Sequence, residues 1–492
     1  MSDGNKKLGL FSLMALVVGS MIGGGIFNLA SDMAAGAGVV AIIVGWVITG
    51  IGMISLGFCF QNLNMKRPDL DGGVYSYARA GFGDYMGFNS AWGYWVSAFL
   101  GNVAYATLLF SSIGYFIPAF EGGQNIASII GASILLWGVH FLILRGVHSA
   151  AIINLITTIA KLVPVLVFIV AAIFAFNVDI FAGNFWGEAG SFSWSAVGSQ
   201  VKNTMLVTLW VFIGIEGAVV FSSRAKNRKD VGKATILGLI GTLLIYMMVS
   251  LLSVGVMSQA EVAGLSNPSM AYILESVVGR WGAIVINIGL IISVLGAWLG
   301  WTLLASEIPF LAAKDGIFPK WFGKANKNNA PVNALWITNG LIQLFILTFI
   351  ISDEAYTFMF SLASSAILIP YAFSAFYQFK YSLQSKEADR TKNIIVGLIA
   401  SVYGIWLVVA AGLDYLLLTM LLFAPGILVF RAVKKESFGD NYPSKKVGIV
   451  SKSSHNKNEQ KIFTKPEMVV AIVFVILAVV AIYELATGGI TI

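Results

Sequence analysis

Gly19-Ser20-Met21-Ile22-Gly23-Gly24-Gly25-Ile26-Phe27 lies in the middle of the first long apolar run of a 492-residue chain. Three consecutive glycines inside a helix cost about 1 kcal/mol each relative to alanine. Within a bilayer, unwound backbone is tolerated only where it is buried in protein or lines a cavity. A second stretch of the same kind is Trp210-Val211-Phe212-Ile213-Gly214-Ile215-Glu216-Gly217-Ala218, in which glycines bracket a carboxylate. The two stretches decide the fold only if a membrane surrounds them, and the composition supplies that condition.

The chain is 58% hydrophobic and 11% charged, whereas a soluble domain carries roughly 25% charged residues. A crossing needs about 20 mostly apolar residues. Thirteen candidate spans are read near 11–34, 38–60, 86–117, 126–144, 150–176, 200–222, 234–257, 282–312, 333–351, 356–379, 393–411, 414–431 and 467–487. With the N-terminus in the cytoplasm, every Lys and Arg except Lys161, Lys202 and Arg280 falls in an inner segment, which is 28 of 31. That asymmetry is the positive-inside pattern of a multi-pass protein of the cell's inner or plasma membrane. The net charge of +7 is therefore a topology signal, and no nucleic-acid partner is expected. One cysteine, Cys59, excludes an intramolecular disulfide and a cysteine metal cluster, and three scattered histidines are too few for a metal site. No cofactor is expected.

The glycine-interrupted stretches fall in spans one and six, five apart. This is the placement required by two inverted repeats of five helices, each opening with a discontinuous helix. The fold class is thus an all-α membrane protein with a five-plus-five inverted-repeat core. The expected organisation is a transport core over 1–380, with repeats near 8–176 and 200–380. Helices eleven and twelve follow over 381–432, then a cytoplasmic linker over 433–465 and the thirteenth span over 466–492. The rival account of the glycines is close helix packing of the small-xxx-small kind. Glu216 between two of them, and the matched placement, favour a binding site. Freed N–H groups at Gly23, Gly24 and Gly25, at a half-helix end, suit a carboxylate. Freed carbonyls around Ile213 and Gly214 suit an ammonium group, and an α-amino acid carries both.

Ionisable groups at membrane depth are functional candidates. Glu216 reads as a counter-charge or conformational coupler, or else as an acid capping loose backbone. Lys161 in the fifth span can stand where a coupling cation would otherwise sit between helices one and five, or else snorkel to the inner face. Among the aromatics, Tyr94, Trp95, Trp210, Trp298, Trp301 and Tyr371 can gate a path or hold a cation over a ring, although most Trp and Tyr in membrane proteins anchor at the interface.

Four segments resemble the amino acid–polyamine–organocation superfamily, in its basic amino acid/polyamine antiporter branch. They are 19–27, Trp210 to Ala218 continuing into the basic loop 224–233, Tyr94-Trp95 through Gly101-Asn102, and Gly300-Trp301-Thr302-Leu303-Leu304-Ala305 followed by Asp315-Gly316-Ile317-Phe318-Pro319. The resemblance covers about 8–432. Arg67-Pro68-Asp69-Leu70-Asp71-Gly72-Gly73-Val74-Tyr75-Ser76-Tyr77 and the thirteenth span are most similar to arginine/ornithine antiporters.

What the resemblance implies can be placed residue by residue. Ser20, Met21 and Gly23 to Gly25 match a carboxylate-binding break. Trp210 and Ile213 match an aromatic and a backbone carbonyl lining the substrate, and Glu216 matches a carboxylate coupling binding to pH or conformation. Tyr94 and Trp301 match gating aromatics, and Asn102 matches a polar contact to the substrate's side-chain end. Ser364, Ser365 and Tyr371 fall near further pathway positions. Lys161 matches a lysine of sodium-independent members. Arginine/agmatine exchangers often have serine where Gly24 stands, which puts a direct transfer of their carboxylate contacts in doubt. The implied activity is exchange of arginine for ornithine by alternating access, with a homodimer as an allowed assembly. Lysine/cadaverine or histidine/histamine exchange and proton- or sodium-coupled symport are the alternatives. The chain carries no H-E-x-x-H, paired intramembrane aspartates or G-x-S-x-G, and an enzyme is not expected.

Overall fold

The computed structural model describes residues 9–70, 72–146, 150–187, 190–216, 226, 228–350, 354–439 and 462–490. The regular structure among these described residues is all helical. Ten helices among the described residues are long and apolar enough to cross a membrane. They are Val39–Lys66, Asp84–Gly114, Ile126–Arg145, Thr157–Ala175, Asp230–Val256, Arg280–Lys314, Ala355–Gln384, Arg390–Ala410, Gly412–Glu436 and Lys465–Thr487. They correspond to ten of the thirteen expected spans. The other three are present in altered form, each for a local reason. Span one is split into Leu10–Met21 and Leu29–Ala34 around a short 3-10 turn. Span six is helical over Trp194–Phe212 and then unwinds. Span nine, Val332–Leu347, is short and ends in a 3-10 turn.

Helix ends follow chemistry legible in the chain. Ser193 accepts a bond from the Ala196 amide at 3.4 Å, opening span six, and Asn125 accepts from Ser128 at 2.9 Å, opening span four. Helix twelve runs on to Gly439. The linker expected from residue 433 therefore begins later, because Lys434, Lys435 and Glu436 extend the helix beyond its apolar part instead of stopping it. Residues 440–461 lie outside the described residues.

Burial orders the bundle. In the third span 94% of the most apolar window is buried, in the tenth 83%, and in the thirteenth only 17%. Spans three and ten form the centre and pack on each other, span one packs chiefly against span seven and span six against spans two and ten, and span thirteen lies on the rim beside span twelve. At one end of the bundle the loops expected inside meet. Asp84 receives Arg79 at 2.8 Å and Lys434 at 2.6 Å, while Arg79 also donates to the Asp315 carbonyl at 2.9 Å. The thirteenth helix is tied to the same end. Glu467 caps its own first turn through Thr464 and accepts from the Tyr85 amide at 3.0 Å. An apolar rim helix is thereby joined to the start of the most buried one.

Candidate functional site

The first break begins at Ile22, where the backbone leaves the helix at ψ 89°. The Gly23 amide turns back onto the Met21 carbonyl at 2.9 Å. Of the three amides expected to be free, that of Gly23 is therefore spent within the break, leaving those of Gly24 and Gly25. The glycines are required by close approach. A Cβ on Gly23 would overlap the Tyr105 hydroxyl, and one on Gly25 would lie 2.6 Å from Trp210 Nε1. Both of those side chains are buried and tilt against each other at 5.7 Å, so neither can move aside without disturbing the other.

The sixth span breaks differently. Ile213 turns to ψ 128°, and Gly214 takes φ +108°, a conformation that disfavours any side chain. A Cβ there would also meet the Ser20 carbonyl at 2.7 Å. Ser20 Oγ has two carbonyl acceptors for its one proton, Val17 in its own helix at 2.8 Å and Gly214 of the other break at 3.1 Å, so it stands between the two breaks. From span seven, Tyr246 Oη lies 2.9 Å from the Met21 carbonyl and 2.7 Å from that of Val211. One phenolic proton thus bridges the carbonyl ends of both half-helices. The Ile213 carbonyl has no partner among the described residues. Gly217 and Ala218 lie outside the described residues.

Two charged side chains reinforce this centre. Lys161 is 3% exposed and donates to the Gly19 carbonyl at 2.7 Å. It lies between helices one and five and does not snorkel. Glu216 is 4% exposed and accepts from Tyr94 on one oxygen and Tyr371 on the other. Tyr371 Oη also receives the Gly214 amide at 3.4 Å. Glu216 thereby ties the sixth-span break to spans three and ten.

Between the breaks lies a small cavity, of about 10 Å³, which is on the order of one water by this measure. Met21, Gly23, Gly25, Trp210, Ile213 and Trp301, all singled out in the sequence, line it. Ser20, Gly214, Glu216, Tyr94 and Tyr371 form the polar tie beside it. Gly24 does not line it, facing Leu108 and Val294 instead. Asn102 and Ser364 are fully buried outside the lining; Asn102 donates to Thr302 at 3.2 Å. Ser365 also lies off the lining, donating to the Tyr415 carbonyl at 3.3 Å. Trp95 is held by Thr338 and Trp298 is buried elsewhere. Ser97, Tyr105 and Tyr246 were missed by sequence reasoning. Ser97 and Tyr105 lie three residues after Tyr94 and three after Asn102, so helical periodicity in span three offered a signal for both. Tyr246 has no such neighbour.

A sequence profile of the family described as amino acid permease matches residues 8–438, which takes in both breaks and the cavity. The chain belongs to the amino acid permease family. This permease is a multi-pass membrane protein and a transporter by family. It is 50% identical to an arginine/ornithine antiporter of Pseudomonas aeruginosa, over 99% of each chain. It is 42% identical to an arginine/ornithine antiporter of Latilactobacillus sakei, over 99% of this chain and 98% of that one. An arginine/agmatine antiporter of Chlamydia caviae is 43% identical over 98% and 97%.

Proposed function

We propose that this permease exchanges arginine for ornithine across the cell membrane, with its N-terminus in the cytoplasm. The observation that carries the reading is the pairing of two helix breaks around an aromatic-walled cavity, in a chain half identical to an arginine/ornithine antiporter along its full length. The substrate carboxylate would sit at the Gly25 amide and its α-ammonium at the Ile213 carbonyl, both on the cavity wall. Its cationic end would lie against Trp210 or Trp301, where a ring face attracts a cation. Arginine and ornithine share the α-amino acid group and one net positive charge, so a one-for-one swap moves no net charge.

The cavity is too small for either substrate as it stands, so its walls must part on one side at a time. Residues 1–380 would supply that moving core. The tie of Glu216 to Tyr94 and Tyr371 crosses three spans and is the contact best placed to register such a movement. Lys161 on the Gly19 carbonyl would take the place of a coupling cation, giving sodium-independent transport.

Counterflow in proteoliposomes tests the reading. Labelled arginine should enter ornithine-loaded vesicles quickly and empty vesicles slowly, with or without sodium. Equal entry into empty vesicles would exclude obligatory exchange. Better exchange against lysine/cadaverine or histidine/histamine would reassign the pair.

A further inference from the structure

We infer that the Tyr105 hydroxyl is a carboxylate donor in the binding site and restricts this permease to substrates that retain their α-carboxylate. This deepens the exchange reading and rests on it for the location of the site. Tyr105 comes from span three, not from either broken helix, yet its ring lines the cavity together with Gly23 and Gly25. Its hydroxyl presses so closely on the first break that Gly23 cannot carry a side chain. The same ring runs along Gly24, where a Cβ would lie 3.3 Å from it, and the phenolic proton is left for the cavity that Tyr105 lines.

The break then presents two donors of two kinds to the cavity, the peptide N–H of Gly25 and the O–H of Tyr105. An amino acid carboxylate has enough lone pairs to accept both. A decarboxylated amine has no acceptor for either of them, and buried donors left unpaired penalise its binding. A site shaped to bond a particular group rejects analogues lacking it far more strongly than an apolar pocket rejects a missing methylene. Arginine and ornithine satisfy the cluster, whereas agmatine and putrescine do not.

Ligand binding to purified protein in detergent tests this, using wild type and Tyr105→Phe with arginine, ornithine, agmatine and putrescine. Phenylalanine keeps the ring against Trp210, so the unliganded melting temperature should stay close to wild type. Wild type should bind arginine more than about tenfold tighter than agmatine. Tyr105→Phe should weaken arginine and ornithine by about ten- to hundredfold, the range for a hydrogen bond to a charged group, with agmatine nearly unchanged. Agmatine binding wild type as tightly as arginine would overturn the inference, and so would an undiminished preference in Tyr105→Phe. The first of these needs no variant to fold. Because binding is read without transport, wild type that shows the preference but no ornithine-dependent arginine uptake would defeat the exchange reading and leave this one standing.

Discussion

In the first span the chain interrupts its helix with glycines whose missing side chains make room for Tyr105 and Trp210. In the sixth it uses one glycine at φ +108° and follows it with a carboxylate gripped by two tyrosines. Both stretches read alike in sequence, as glycines at mid-depth of a span. Physically they differ. The first is a packing break that turns amides toward a cavity; the second is a conformational break, held by polar ties to the helices around it. Substitutions in the first should therefore damage binding, and substitutions after the second should damage movement.

The largest effect is expected at Gly25. Alanine there would push Trp210, which is buried between Tyr105 and Phe360, and should abolish both arginine binding and counterflow. Retained binding would show that the cavity wall is softer than its packing suggests. Glu216→Gln comes next. Its transport should fall by roughly tenfold or more, as for a lost charged hydrogen bond. Arginine binding should stay near wild type, because Glu216 does not line the cavity. Equal losses in both would make Glu216 a substrate contact and erase the distinction between the breaks. Tyr246→Phe should have the smallest effect on activity and act mainly on stability. It leaves two buried carbonyls without that partner, a cost of about 1–3 kcal/mol, seen as a lower melting temperature in detergent. An unchanged melting temperature would remove Tyr246 from the set of groups holding the half-helices together.

Much of this arrangement was legible in the chain because bilayer physics is restrictive. An apolar run long enough to cross must be helical, and glycines within it need a reason. The ten helices among the described residues that are long and apolar enough to cross, the two interruptions and the reach of Lys161 to helix one follow from that. Side-chain direction was less accessible. Gly23 to Gly25 read as three equivalent amides, but a turn inside the break takes the first. Asn102 and Ser364 lie on central helices, and register alone did not show that they face other helices and not the cavity. Tyr246 was invisible because a single tyrosine in an apolar span carries no mark of the two carbonyls it bridges. The continuation of helix twelve to Gly439 was hidden for the opposite reason, since charged residues just beyond an apolar run resemble a linker.

A structure of the permease with arginine bound is the most direct test of the pairing of the two breaks. The carboxylate should lie about 3 Å from the Gly25 amide, with the α-ammonium on the Ile213 carbonyl and the guanidinium against an aromatic wall. Arginine seated away from both breaks, or both spans wound as continuous helices, would contradict the account.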